Sequence, residues 1–517
     1  MCILKGPAES PRLGRMVNKR LLRVIIVAGV FLASAAALFV GGRYRGPRVA
    51  PFSRKHVGPD RYDFTTTSRF FPLKFEDAAR TKKEHLCGSF PRFLLQHVQP
   101  VLKVGHSENQ ARLDAHFKTT SSCFTKDELL VVSDLDEVVH GHRTVDVLAD
   151  LPAGYHDLDK NPDFRHYLNQ RDMHRNGSLN DKTQGSIDGW IIDKYKFLPM
   201  VERAWLARPG RAFYFFFEPD TYVFWDNVFR LLENLDPEEP VYMGSPSPGR
   251  HDVDRDMKTW FANGGPGVVL SRGAIRSLLR RRTDANGHYI DPVITEKWQD
   301  LVARECCGDS VLGWALWNAT VQVQGYWPMF NPHSFHRIPY SDAYWCQPVL
   351  TLHKTSPEDA TDLWHWEFSQ RERDRPMLYA DLWRLRHPGK PGVLDNWDNG
   401  DWDRLDPPAD ASIDTFETCE RYCRNEQRCL QWTWLGGDEK RCILMSSISY
   451  GSARKPEYVD ADEKREASPA QEAREKKSGK KMVAYRSGWV EDRIQEWVDA
   501  RRCEAVQWVG PSTSRIF

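Results

Sequence analysis

The chain has 517 residues, enough for a large α/β core and something smaller beside it. Its 72 basic and 71 acidic residues leave a net charge of +1, so there is no basic surplus of the kind nucleic-acid binding needs. The 19 Trp, 17 Tyr and 25 Phe suit carbohydrate stacking, although a large core uses aromatics too.

Residues 24–42 form a run of 19 positions without a charge, about the length a bilayer core requires. Lys5, Arg12, Arg15, Lys19, Arg20 and Arg23 precede it against one acid, Glu9. The pattern predicts an uncleaved anchor with its N-terminus in the cytosol, a single-pass type II membrane protein. A cleaved signal peptide is the competing reading, and Arg43, Arg45 and Arg48 behind the run weaken the charge bias. Everything after residue 42 is then lumenal, in the Golgi or the ER. Ten of the eleven Cys fall there, and an even number suits disulfides, whose pairing sequence cannot supply. The sequons at Asn176 and Asn318 are usable in the same compartment. Residues 43–86, rich in Arg, Pro and Lys, read as a stem.

From Val98 the pattern is α/β. Residues 98–104 are strand-like, and 106–119 suit a helix. Residues 128–134 form a buried-strand pattern that ends in D-L-D-E, with Asp134, Asp136 and Glu137. Residues 185–205 look helical through Trp190, Ile191, Tyr195, Leu198, Val201 and Trp205. Residues 213–217 are a run of aromatics that leads into E-P-D, with Glu218 and Asp220 one residue apart. Acids at the end of a buried strand are costly unless a cation meets them, and hard oxygen ligands suit Mn²⁺ or Mg²⁺. The ordinary alternative is a strand running into a Pro turn with two solvated acids. The chain thus offers two candidate acidic sites. A helix over 226–235 and a strand over 240–244 follow. Strands alternating with helices imply a mostly parallel sheet with ligands at the carboxyl ends of its strands.

The stretch W-F-A-N-G-G-P-G at 260–267 places Gly264 and Gly265 before another strand, where backbone can approach a ligand closely. Asp309 stands at the start of an apolar helix, a position that simple capping also favours. His353 ends a short strand, where a hydrogen-bonded structural His is the commoner role. Residues 389–412 read as a linker. Cys419 and Cys423 then lie four apart on a short helix, and strands near Cys429 and Cys442 complete a small disulfide-stapled module. A charged run at 453–481 interrupts it as an insertion. Residues 483–489 supply its last strand, and 490–502 a closing helix.

Taken together, residues 98–367 resemble the Fringe-like and β-1,3-glycosyltransferase group (glycosyltransferase family 31), in its fungal type II membrane form. E-P-D-T-Y-V at 218–223 is similar to the family's D-D-D-T-Y-V metal motif. W-F-A-N-G-G-P-G-V-V-L-S at 260–271 is similar to its ASGGAGYVLS loop. C-G-D-S-V-L-G at 307–313 is similar to E-D-V-x-x-G, and L-H-K-T-S-P-E-D-A-T-D-L-W at 352–364 to VHxxxPxxMxxxW. The four occur in the family's order. Residues 415–488 separately resemble a PAN/Apple module, through the helix Cys pair and C-L-Q-W-T-W.

The resemblance implies a GT-A-type, mostly parallel α/β catalytic domain over 87–388, and a small α+β PAN/Apple-like domain over 413–490 before a tail at 491–517. It implies an inverting transferase that uses Mn²⁺ or Mg²⁺ and a UDP-sugar to build a β-1,3 linkage on a glycan or glycoprotein, of galactosyl or N-acetylglucosaminyl type. It places Glu218, Asp220 and His353 on the metal, and Asp309 as the base, with the low pKa usual at a helix start. Asp134 and Asp136 fall to the nucleotide, with Lys103, Gly264 and Gly265 as further donor contacts. Two departures stand out: Glu218 and Pro219 replace two family Asp residues, and Gly308 replaces the acid before the base. A catalytically silent lectin-like protein, whose PAN-like module binds glycan or protein, is the alternative. A third possibility is that the D-L-D-E acids carry the metal in a transferase of another family.

Overall fold

A computed structural model describes residues 82–515 apart from 181–187, 344, 372–374, 386–391, 408–411 and 461–479. The expected anchor at 24–42, most of the stem and the centre of the charged insertion lie outside the described residues. Among those described, no helix is long and apolar enough to cross a membrane.

The five aromatics Phe213–Phe217 form a strand, β5, that is buried along its whole length. A strand with no polar position has no face for water and belongs in the middle of a layered fold. Its neighbours are β1 (Val98–Lys103), parallel to it with Leu102 opposite Phe217, and β9 (Val268–Ser271), antiparallel to it. Beyond β1 come β2 (Leu130–Ser133), β4 (His142–Asp146) and the short β3 (Val138–Val139). Beyond β9 come β7 (Tyr242–Asp252) and β10 (Val323–Gly325), with β8 (Met257–Asn263) folded back on β7. Six strands, β10, β7, β5, β1, β2 and β4, therefore run one way, and β9 runs against them. The expectation of a largely parallel sheet holds, with antiparallel partners at β9, β8 and β3.

Helices pack on the face of the sheet that carries Tyr214 and Phe216. Phe197–Ala207, Arg272–Leu278 and Gly308–Asn318 bury Leu198, Val201, Ile275, Val311 and Leu312 with sheet residues such as Val101, Tyr214 and Phe216. Burying each such side chain is worth roughly 1.5–3 kcal/mol. The single helix expected over 185–205 is two, Gly189–Asp193 and Phe197–Ala207. The break falls at residues 194–196, where Lys194 turns to the Asp163 carboxylate and the Ala303 carbonyl and Lys196 to the buried Val104 carbonyl.

A small sheet of β6 (Tyr222–Val223), β11 (Phe330–Asn331) and β12 (Thr351–Leu352) sits at the carboxyl end of β5. Leu352 pairs with Tyr222, which sets His353 beside the E-P-D turn. The Thr355 N–H donates to the Asp220 carbonyl at 3.0 Å and reinforces the crossing.

The C-terminal region forms a second sheet of β13 (Val393–Asp395), β15 (Arg404–Leu405), β16 (Gln431–Gly437), β17 (Arg441–Met445), β19 (Glu457–Asp460) and β20 (Lys480–Trp489). The helix Phe416–Asn425 is stapled to it by Cys419–Cys442 and Cys423–Cys429. The stretch expected to be a linker, 389–412, instead supplies β13 and β15 at open sheet edges, and between them β14 (Trp397–Asp398), which pairs with β18 (Ser452–Ala453). The tail is likewise integrated: the helix Glu491–Asp499 buries Ile494, and Cys503 is bonded to Cys346. One aromatic cluster holds Tyr340, Trp364, Trp383, Tyr450 and Trp489 from both halves.

Candidate active site

Register brings the first charged pair together. Leu102 lies opposite Phe217, so the next residues along, Lys103 and Glu218, leave the sheet side by side. Lys103 Nζ stands 3.0 Å from Glu218 Oε1 and 2.5 Å from Asp193 Oδ2. Burial disfavours its charge, but the two carboxylates outweigh that and hold its pKa well above the usual lysine value. Both acids of the E-P-D turn face the same space as His353. His353 Nε2 is 3.5 Å from Asp220 Oδ1 and 3.9 Å from Glu218 Oε2. Among the described residues, ligand atoms of Glu218, Asp220 and His353 lie within 4.8 Å of one another. Two carboxylates and an imidazole suit a divalent cation of the Mn²⁺ or Mg²⁺ type. Burial raises the Asp220 carboxyl, yet His353 and Arg112 outweigh it and keep it below the usual range.

Pro219 is locked from behind. The buried His116 ring donates from Nδ1 to the Pro219 carbonyl at 2.9 Å and accepts at Nε2 from the Ser121 hydroxyl at 2.8 Å. Burial drives its pKa down to about 4, so the ring is neutral. Sequence reading gave no role to His116, since its partner is 103 residues away.

The glycine loop closes the opposite wall. Gly267 has φ of +94°, which calls for glycine. A Cβ on Gly265 would strike the His353 ring, so this glycine is what lets the histidine reach the acids. The Thr221 hydroxyl donates to the Gly265 carbonyl at 2.6 Å and pins loop to turn. The Gly264 N–H donates to Asp309 Oδ2 at 2.9 Å, and the Ser310 N–H to Oδ1 at 2.8 Å. These donors lower the pKa of Asp309, but burial dominates and the carboxyl is pushed up to about 6. The low value expected from a helix start is therefore corrected: desolvation outweighs the local N–H groups.

Gly308 also has a steric explanation. A Cβ there would strike the Phe197 ring and the Lys194 carbonyl, so no acid fits before Asp309. Gly313 packs against Phe261 in the same way. Cys306 and Cys307 are joined to each other just before this helix.

Lys103, Asp193, Glu218, Asp220, Gly264, Gly265 and Asp309 line one cavity of about 410 Å³. The rival acids do not. Asp134 is completely buried, accepting from the His106 N–H at 2.8 Å and facing Lys196 Nζ at 2.8 Å. Asp136 turns away and accepts the Asp146 N–H at 2.8 Å. Neither acid lines the cavity, and no metal cluster gathers around them among the described residues. A larger recess of about 520 Å³ beside Cys87–Cys123 has no carboxylate in its lining.

Residues 193–313 match the Fringe-like family model. The Fringe-like segment opens at Asp193 and closes at Gly313, so it holds the E-P-D turn, the glycine loop and Asp309. It supports the resemblance on which the transferase reading rests. His353 lies outside this segment and reaches it through the pairing of β12 with β6. No curated protein matches the chain. Asp193 and Lys196 went unassigned at the sequence level, although the charges at 193, 194 and 196 just before the apolar 197–201 run were a visible signal.

Proposed function

We propose that the protein is an inverting, cation-dependent UDP-sugar glycosyltransferase of the GT-A type, building a β-1,3 linkage of galactosyl or N-acetylglucosaminyl type on a secretory-pathway glycan. One observation carries the reading: Glu218, Asp220, the glycine loop and Asp309 line one cavity within a Fringe-like segment, and His353, from outside that segment, brings a ligand atom within 4.8 Å of those of the two acids. Glu218, Asp220 and His353 would hold the cation, whose chemistry is to neutralise charge on the leaving diphosphate. Asp309 takes the proton from the acceptor hydroxyl as that oxygen attacks the anomeric carbon. Its two N–H donors fix the carboxylate while leaving each oxygen a further lone pair for the acceptor. Gly264 and Gly265 give the donor close approach to backbone. Trp190, 70% exposed at the rim, offers a flat face for a sugar ring.

The same reading takes residues 24–42 as a type II anchor with the cavity in the Golgi or ER lumen, and the stapled C-terminal module as a PAN/Apple-like unit that recruits glycan or protein. The test is a UDP-sugar panel with Mn²⁺ on the full chain. Transfer from one donor, abolished by a chelator, supports the reading; no transfer and no UDP release from any donor removes it. The engagement of Glu218 by Lys103 is the observation that favours the alternative, a silent lectin-like protein. That protein would bind glycan in the same assay without releasing UDP.

A further inference from the structure

Beneath the candidate cation site lies a ladder of charges in which the transferase reading gives no role to Asp193 or Lys196. Lys196 Nζ meets Asp134 Oδ2 at 2.8 Å and Asp193 Oδ1 at 3.6 Å. It also donates to the Val104 carbonyl at 2.9 Å. Lys103 Nζ meets Asp193 Oδ2 at 2.5 Å and Glu218 Oε1 at 3.0 Å, and stands 4.7 Å from the centre of the Phe197 ring. The two ammonium groups are nearly inaccessible, at 7% and 2% side-chain exposure. Three carboxylates, on Asp134, Asp193 and Glu218, thus share two lysines. The shortest of the four contacts belongs to Asp193. It stands at the last position of its helix, where a negative charge opposes the helix dipole, so the lysines are what hold it there. Glu218 keeps Oε2 turned to His353 while Oε1 faces Lys103.

We propose that Asp193 is a positioning residue for the cation site: it draws the Lys103 charge to itself and so leaves Glu218 negative enough to share a divalent ion. The Glu218 side chain reaches Lys103 with one carboxylate oxygen and faces His353 with the other. With Asp193 neutralised, two lysines face two acids, Glu218 is compensated by Lys103, and the site loses attraction for a cation. Removing Lys103 as well restores the imbalance, because Lys196 still answers Asp134. A merely structural role for Asp193 predicts the opposite, since a second buried loss only adds damage.

The inference rests on the cation-dependent reading, but its test does not require transfer. The full chain is titrated with Mn²⁺ alone, and the free-ion electron paramagnetic resonance signal is followed. Asp193→Asn is expected to weaken binding about tenfold, and Lys103→Met with Asp193→Asn to return it to within about threefold of the parent, as befits one charge near a partly buried ion. Unchanged affinity in the single variant, or a double variant weaker than the single, overturns the proposal. Should Asp193→Asn not fold, Lys103→Met alone decides: tighter Mn²⁺ binding supports the proposal, and unchanged or weaker binding overturns it. Parent protein that binds Mn²⁺ and follows this pattern without transferring sugar would sink the transferase reading and leave the role of Asp193 standing. Parent protein that binds no Mn²⁺ overturns both.

Discussion

Asp309 illustrates how one carboxyl is tuned by opposing surroundings. Two backbone N–H groups favour its charged form, burial disfavours it, and burial wins, giving a pKa of about 6. A base must be ionised to accept a proton, so transfer is expected to rise as pH increases through about 6 and then to level off. A pH profile of kcat/KM at saturating cation checks this, and a limb near 4 would contradict the burial argument. The stability sign is opposite. A carboxyl whose folded pKa lies above its unfolded value is easier to ionise in the unfolded chain, so this group costs the fold stability above about pH 6 and ceases to do so below about 4. Asp309→Asn keeps the size, removes the base and should lower kcat by roughly 10²–10⁴-fold with UDP affinity intact. Full activity in that variant would remove Asp309 from the chemistry.

Among the elements, the turn after β5, the glycine loop and the strand end at His353 act as a set. None is a site alone. The pairing of β12 with β6 delivers His353, and the absence of a side chain on Gly265 admits its ring. Gly265→Ala should therefore cost Mn²⁺ affinity at least about tenfold, a loss of about 1.4 kcal/mol, while leaving far-ultraviolet circular dichroism unchanged. Calorimetric titration decides it, and parental affinity would show that the ring can move aside. The order of the four motifs was legible because each is a local pattern of glycines, acids and apolar residues. The break between the helices Gly189–Asp193 and Phe197–Ala207 was not. Apolar periodicity continues across it, and the oxygens that receive the two buried lysines, Lys194 and Lys196, are set by distant segments. Likewise 389–412 looked like a linker because its strands are only two or three residues long, too short to carry a period.

At the scale of the whole molecule, the two sheets are joined by more than a tether. Tyr340, Trp383 and Tyr450 pack together across them, Tyr340 bridges to Ile448 in a strand-like pair, and Cys346–Cys503 closes a separation of 157 residues. Closing so long a loop is worth about 4–5 kcal/mol in the chain-entropy account. Replacing Cys346 and Cys503 together by Ser should lower the melting temperature by several degrees while sparing Mn²⁺ binding, since neither residue lines the cavity. A differential scanning measurement checks the first and the Mn²⁺ titration the second. An unchanged melting temperature would show that the aromatic cluster alone holds the halves together. By itself the sequence determined the class of fold, the even set of Cys after residue 42 and two candidate acidic sites, because strand runs, acid spacing and glycine loops are properties of neighbours along the chain; Glu218, Asp220 and His353 were singled out as ligands by the family resemblance. Only the tertiary structure decided which acidic pair meets a histidine, that Asp134 spends its charge on a buried lysine, that Asp309 is desolvated and that Lys103 stands between Asp193 and Glu218. Those outcomes depend on sheet register and burial, which join residues up to about a hundred positions or more apart and which no local spacing encodes.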